Sequence, residues 1–176
     1  MRKRLFWWEV AGFLFVGAAG TLLHFLYEWS GETLLAAVIS GINESTWEHM
    51  KLLFVPTFLF SIVQLCVQGK TYPNFLAVRA VSTLAGLVTI PVVYYTYSGV
   101  WGKSISWINI VIFFLAAFVL FLLDYCLLRK GRFTAPWQQV AGLILLWMMV
   151  FCFVWCTFRP PELALWQDPV TGKFGV

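Results

Sequence analysis

The chain has 176 residues, of which 61% are hydrophobic and 11% charged, with a formal net charge of +4. A water-soluble domain carries about 25% charged residues, and 12 basic plus 8 acidic side chains cannot cover a globule of this size in water. Composition therefore excludes an ordinary soluble enzyme or binding domain and leaves lipid as the solvent. The basic residues are scattered over segment ends rather than gathered on one face, which argues against a nucleic-acid partner.

Five runs reach the roughly 20 mainly apolar residues that a helix needs to cross the hydrocarbon. They are residues 5–27, 47–67, 75–97, 105–128 and 137–158. The expected fold is an all-α, polytopic membrane helix bundle, a single integral membrane domain over 1–176 with a tail at 159–176. The start, Met1-Arg2-Lys3-Arg4, resembles a signal peptide. The apolar run behind it is too long for one and is interrupted by Glu9, so an uncleaved first span is expected. The first span also carries Gly17, Gly20 and Thr21 on the face that leads to His24 and Glu28. Small residues let a neighbouring helix approach closely there.

Leu34–Ile42 is apolar but too short to cross, and is expected to form a short re-entrant or interfacial helix. The motif Asn43-Glu44-Ser45-Thr46-Trp47-Glu48-His49-Met50-Lys51 follows, the densest group of polar residues in the chain. Ser45-Thr46-Trp47-Glu48 reads as a capping box: Ser45 accepts from the Glu48 amide and the Glu48 carboxylate returns to the Ser45 N–H. Asn43 caps the preceding turn in the same reading. Capping explains Asn43, Ser45 and Glu48 and leaves Glu44, His49 and Lys51 unexplained.

Within the second span, Thr57, Ser61, Gln64 and Gln68 form a stripe suited to interhelical hydrogen bonds, and Ser82, Gly86 and Thr89 form a small-residue stripe in the third. Pro56 and Pro91 are expected to kink their helices. Asp124 lies one turn inside the fourth span and is expected to pair with Arg79 or Arg129. Breaks at residues 69–74, 98–103 and 129–132 carry turn residues. Cys66, Cys126, Cys152 and Cys156 lie in apolar surroundings and read as small hydrophobes. In the tail, Pro160-Pro161 stops the last helix, while Asp168-Pro169 and Thr171-Gly172 signal turns. Trp166, Asp168 and Phe174 make it a candidate lid.

Orientation follows the basic residues. With the N-terminus inside, Arg2, Lys3, Arg4, Lys70, Arg79, Arg129, Lys130 and Arg132 are inside and Lys51, Lys103, Arg159 and Lys173 outside. The expected location is a membrane crossed several times, N-terminus inside and C-terminus outside. On that topology His24 and Glu28 end an outgoing helix while Glu44 and His49 begin the next one back. The four are expected to line one outer-facing pocket, roofed by the tail around Trp166.

This set offers two imidazoles and two carboxylates, a mixture that suits zinc, manganese or ferrous iron. No cofactor is required by the sequence, and neither His-x-x-x-His nor His-Glu-x-x-His is present. A proton-linked or salt-bridged site from Glu28, Glu44, His49 and Lys51 is the competing arrangement. Catalytic residues are not identifiable: Ser30 and Ser45 are the nearest nucleophiles, and Ser45 is occupied as a cap.

Asn43-Glu44-Ser45-x-Trp47-Glu48-His49-x-Lys51, followed by Phe54 and Pro56, looks like the signature of a family of small bacterial membrane proteins catalogued as a domain of unknown function. His24-Phe25-x-Tyr27-x-Trp29-Ser30-Gly31, Pro160-Pro161 and Asp168-Pro169-x-Thr171-Gly172 are similar to it as well. The resemblance implies a bacterial multispanning protein and supplies no activity, substrate or catalytic residue. Two function classes remain. One is a binding, transport or accessory protein for an ion, lipid headgroup or partner, with membrane lipid and a second copy of the chain as candidate partners. The other is an intramembrane, metal-dependent or metal-free, lipid-modifying hydrolase.

Overall fold

A computed structural model describes residues 2–175. It is built from α1 (Arg2–Trp29), α2 (Leu34–Ile39), α3 (Thr46–Gln68), α4 (Phe75–Trp101), α5 (Ser106–Lys130) and α6 (Pro136–Phe158). The fold is all-α, and all but α2 are long and apolar enough to cross a membrane. The shortest of the five has 23 residues, which at 1.5 Å per residue spans about 34 Å against a hydrocarbon core of about 30 Å. Their ends fall within a turn or so of the apolar runs read from sequence.

Left-handed glycines stop two of the helices. Gly102, at φ 70°, follows α4, and Gly131, at φ 58°, follows α5. In the second case the Arg132 amide reaches back to the Leu127 carbonyl, the closure that an αL residue after a helix permits. Gly86 of α4 lies against the Ala116 carbonyl and Leu120 of α5, so close that an added Cβ would be 3.0 Å from each. That explains the small-residue stripe on α4.

α4 and α5 form an antiparallel hairpin, α1 packs on α3 and α5, and α6 packs on α4. Trp47, Phe54, Phe113, Leu120, Phe121 and Phe153 are central to the core. The outer faces carry exposed large apolar residues, among them Leu14, Val92, Phe118, Trp137 and Phe151. In water such a surface would aggregate; lipid is the solvent that it matches.

Pro56 and Pro91 sit inside α3 and α4, and both helices run through them. Pro56 has no N–H to give to the Leu52 carbonyl. Gly20 of α1 lies against that carbonyl, where a Cβ would be 2.9 Å from the oxygen. α2 has only six residues, capped by the Thr33 side chain. Leu34 and Leu35 are exposed while Ala36 and Ala37 are buried, so it lies on the bundle with one face inward. The cysteines are free, Cys66 and Cys152 on exposed faces.

One polar network crosses the bundle near the N-terminal end of α1. Arg79 Nη2 lies 2.7 Å from an Asp124 carboxylate oxygen and donates to the Gln64 Oε1 at 2.6 Å. The Gln64 amide donates in turn to Glu9 at 2.7 Å and to Gln68 at 3.1 Å. All five residues are buried, and the guanidinium also lies over the Phe75 and Phe121 rings. Asp124 thus takes Arg79; Arg129 instead donates to the Tyr125 hydroxyl. Gln68 accepts only from Gln64 of its own helix, whereas Gln64 fulfils the interhelical reading of the α3 stripe. Thr57 and Ser61 do not, because their hydroxyls return to the Leu53 and Thr57 carbonyls of their own helix. Thr89 does the same with Ala85.

Candidate functional site

The N-terminus of α3 is set by its cap. Ser45 Oγ accepts from the Glu48 amide at 3.3 Å, and the Asn43 side chain accepts from the Ser45 amide at 2.9 Å. Because Asn43 takes the Ser45 N–H, the reciprocal half of the expected capping box does not form. Glu48 instead accepts from the Ile42 amide at 3.2 Å. The turn that Asn43 and Ser45 hold carries Glu44 between them.

Ser45 fixes a second group. Its carbonyl lies 2.9 Å from His49 Nδ1. A carbonyl can only accept, so Nδ1 carries the proton, and in the neutral ring Nε2 presents its lone pair. That nitrogen is 3.7 Å from one Glu44 oxygen, while His24 Nε2, arriving from α1, is 3.5 Å from the other. The two imidazoles meet edge to face at 5.6 Å between centroids. Donor atoms of His24, Glu44 and His49 all lie within 4.8 Å of one another. None of the three side chains hydrogen-bonds another, and all remain partly accessible, with 36%, 49% and 20% exposure for His24, Glu44 and His49.

Two residues expected here stand elsewhere. Glu28 shares a helix face with His24 but lies four residues, about 6 Å, further along α1. It is exposed and forms no ion pair among the described residues. Lys51 is fully buried: its ammonium is 2.5 Å from Glu48 and donates to the Ala37 carbonyl at 2.8 Å and to Thr157 at 3.0 Å. Two residues beyond His49, Lys51 projects to the opposite side of α3 and ties α2, α3 and α6 together. A buried pair with every proton used is a fastening, not a ligand site.

The tail packs on this end of the bundle. The Trp47 amide, one of the first-turn donors that α3 cannot satisfy internally, donates to the Leu165 carbonyl at 3.0 Å. Trp166 packs at a tilt against Trp47 with centroids 4.9 Å apart, and Trp47 likewise against Phe153 at 4.6 Å. Asp168 is buried and builds a turn: it accepts from the Val170 amide at 2.9 Å and the Thr171 hydroxyl at 2.6 Å. A single bridge pairs Gln167 with Phe174. This turn, rather than Trp166, brings Pro169 and Val170 over the cluster; Trp166 anchors the segment and Phe174 closes it.

Two cavities flank Glu44 and His49. One, of about 270 Å³, is lined by Thr46, Tyr94, Ser104, Asn109 and the tail residues Pro169 and Val170. The other, of about 260 Å³, runs between α1 and α5 past Gly20, His24, Phe25, Ile110, Phe113 and Phe114. Ser106 and Asn109 line both. The α5 contribution is ordered by Tyr97, whose hydroxyl accepts from the Ile105 amide at 3.1 Å and pairs with Asn109; Asn109 donates to Ser104 at 3.0 Å. The sequence reading passed over Ser104, Ser106 and Asn109. An asparagine inside an otherwise apolar span was the available signal.

Three electron-pair donors facing one point without hydrogen bonds between them can share a cation. No curated protein and no solved structure matches the chain. The model of a family of unknown function (DUF6512) matches residues 2–176, and the chain belongs to that family.

Proposed function

We propose that this protein is a multi-pass protein of a bacterial cytoplasmic membrane that binds a divalent transition-metal ion outside the membrane, with His24, Glu44 and His49 as ligands. The observation that carries this reading is the convergence of His49 Nε2 and His24 Nε2 on the two oxygens of one carboxylate, at 3.7 and 3.5 Å. Two ligands on a tetrahedral zinc lie about 3.3 Å apart, given bonds of 2.0–2.1 Å. The two nitrogen–oxygen separations need only a small contraction, and no donor separation in the trio exceeds 4.8 Å. The His49 Nδ1–H to carbonyl bond is the outer-shell contact that orients metal-ligating imidazoles. Two nitrogens and a carboxylate favour zinc, manganese or ferrous iron over calcium or magnesium.

The orientation rests on the basic-residue asymmetry, eight inside against four outside, which puts the C-terminal tail and the cluster outside. A second reading, a metal-dependent lipid-modifying hydrolase, is favoured by the ligand number. Three protein ligands leave a coordination position for water or substrate. Neither serine read from the sequence as its nucleophile is free for that role, since Ser45 is a cap and Ser30 bonds the Tyr27 carbonyl.

Cobalt substitution tests the proposal. Detergent-purified protein loaded with Co(II) is expected to show visible absorption of a four- or five-coordinate nitrogen–oxygen site, and His49→Ala is expected to lose it. A spectrum of hexaaquo cobalt in the wild type would overturn the assignment.

A further inference from the structure

We infer that the cavity between α1 and α5 holds an acyl chain of a membrane phospholipid whose phosphate reaches the His24–Glu44–His49 centre; this rests on the metal-binding reading and names the ligand of that site. The first observation is where the α1–α5 seam opens. Gly17 and Gly20 lie against Phe114 and Phe113, so near that an added Cβ would be 2.9 and 2.5 Å from those rings. The helices are in contact up to that level. In the next turn Thr21, His24 and Phe25 face Ser106, Asn109 and Ile110, and the helices part to leave the cavity of about 260 Å³. Small residues thus bring the helices into contact below, leaving only an open apolar groove past Leu14, Gly17 and Phe114, and the cavity beside the cluster follows directly above.

The second observation is the polarity along the cavity. Its mouth is formed by Phe25, Ile110 and Phe114, all exposed on the apolar outer face of the bundle, which in a membrane is the lipid side. Its floor is Leu52 and Phe113, and its far end is Glu44 and His49. Beyond those two residues lies the other cavity, walled by Thr46, Tyr94, Ser104, Ser106 and Asn109. An apolar slot open to lipid, a trio of candidate ligands and a chamber of mixed polarity, with Ile90, Ile112 and Val170 beside its hydroxyls and amide, therefore stand in line. A soluble ion or peptide has no use for the lipid-facing mouth, and a wholly apolar guest has no use for the chamber. An amphiphile uses both.

The third observation concerns the headgroup. A phosphate offers oxygen to a three-ligand metal with an open position. The hydroxyls of Ser104 and Ser106 stand in the same chamber. A phospholipid lying in the outer leaflet would thus enter sideways, without leaving the bilayer, and present its phosphate to the metal.

The test uses full-length protein purified in mild detergent with zinc. Bound phospholipid is measured by native mass spectrometry and zinc by elemental analysis. Ile110, 60% exposed at the cavity mouth, is changed to Trp so that the ring fills the slot. Val92→Trp, on an exposed face outside both cavities, is the control. Wild type and Val92→Trp are expected to retain a tightly held phospholipid. Ile110→Trp is expected to hold it about tenfold more weakly, since excluding two buried methylenes costs that much, with zinc content unchanged. Equal retention by Ile110→Trp and Val92→Trp overturns the inference and leaves the metal site standing. Inorganic phosphate bound equally by all three proteins, with no lipid retained, also overturns it. Absence of zinc from the wild type overturns the metal reading itself.

Discussion

At the Glu9–Arg79–Asp124 network a guanidinium meets a carboxylate at 2.7 Å and an amide at 2.6 Å, and every member is buried. At the His24–Glu44–His49 cluster the closest approach is 3.5 Å, every member keeps some exposure, and cavities lie on both sides. Both are polar groups in a chain with few charges, and both gather residues from several helices. The first pairs Arg79 with Asp124 and Gln64 and so ties α3, α4 and α5 together, although Glu9 Oε2, Asp124 Oδ1 and the Arg79 Nε and Nη1 atoms are buried without a hydrogen-bond partner. The second brings two imidazoles and a carboxylate together without hydrogen bonds between them, the arrangement on which the proposed metal site rests. On the proposed reading, burial with ion pairing marks a fastening and convergence beside open cavities marks a receptor. Glu48–Lys51, one and two residues from His49 in sequence, belongs with the fastenings.

Substitutions should divide along that line. The largest effect is expected for Arg79→Met, which leaves Asp124 buried without its cation and should cost about 3–5 kcal/mol in a reversible unfolding measurement in detergent. Near-wild-type stability of that variant would dissolve the contrast. Lys51→Met should destabilise on a similar scale, and adding Glu48→Gln should recover part of the loss, because the second change removes the carboxylate left unpaired. A double variant as unstable as the sum of the singles would mean that the pair is not coupled. Ser45→Ala should cost about 1 kcal/mol through the lost cap. The smallest effect is expected for Glu44→Gln, within about 0.5 kcal/mol of wild type, as for surface sites away from packed networks. A loss comparable to that of Arg79→Met would move Glu44 to the structural side.

The spans were legible because length and apolarity alone define them, and the turn residues between them, such as Gly102 and Gly131, mark the stops. The meeting of His24 with Glu44 and His49 was legible too, since a short excursion between two antiparallel helices returns the chain to the level it left. The turn at which it returns is not written in the sequence. One helical turn separates His24, which takes part, from Glu28, which does not. The α3 register decided the fate of Lys51. Glu48 and Lys51 are three apart and so share a face, a pairing that was readable once Lys51 was not reserved for the site. Contributions from Tyr94, Ser104 and Asn109 depend on how α4 and α5 rotate against α3, which packing sets. Glu9 looked like a mere interruption of an apolar run. A lone carboxylate in a span calls for a partner, and finding Gln64 and Arg79 required the three-dimensional arrangement.

The central claim is that one polar cluster receives a cation and the other does not. Zinc titration by calorimetry of wild type, Glu44→Gln and Glu9→Gln, in the same detergent, tests it most directly. Glu9→Gln keeps an oxygen to accept from the Gln64 amide, so its fold should survive. The account predicts a saturable zinc site in wild type and in Glu9→Gln, and none in Glu44→Gln. Undiminished binding by Glu44→Gln, or binding abolished by Glu9→Gln in a folded protein, would contradict it.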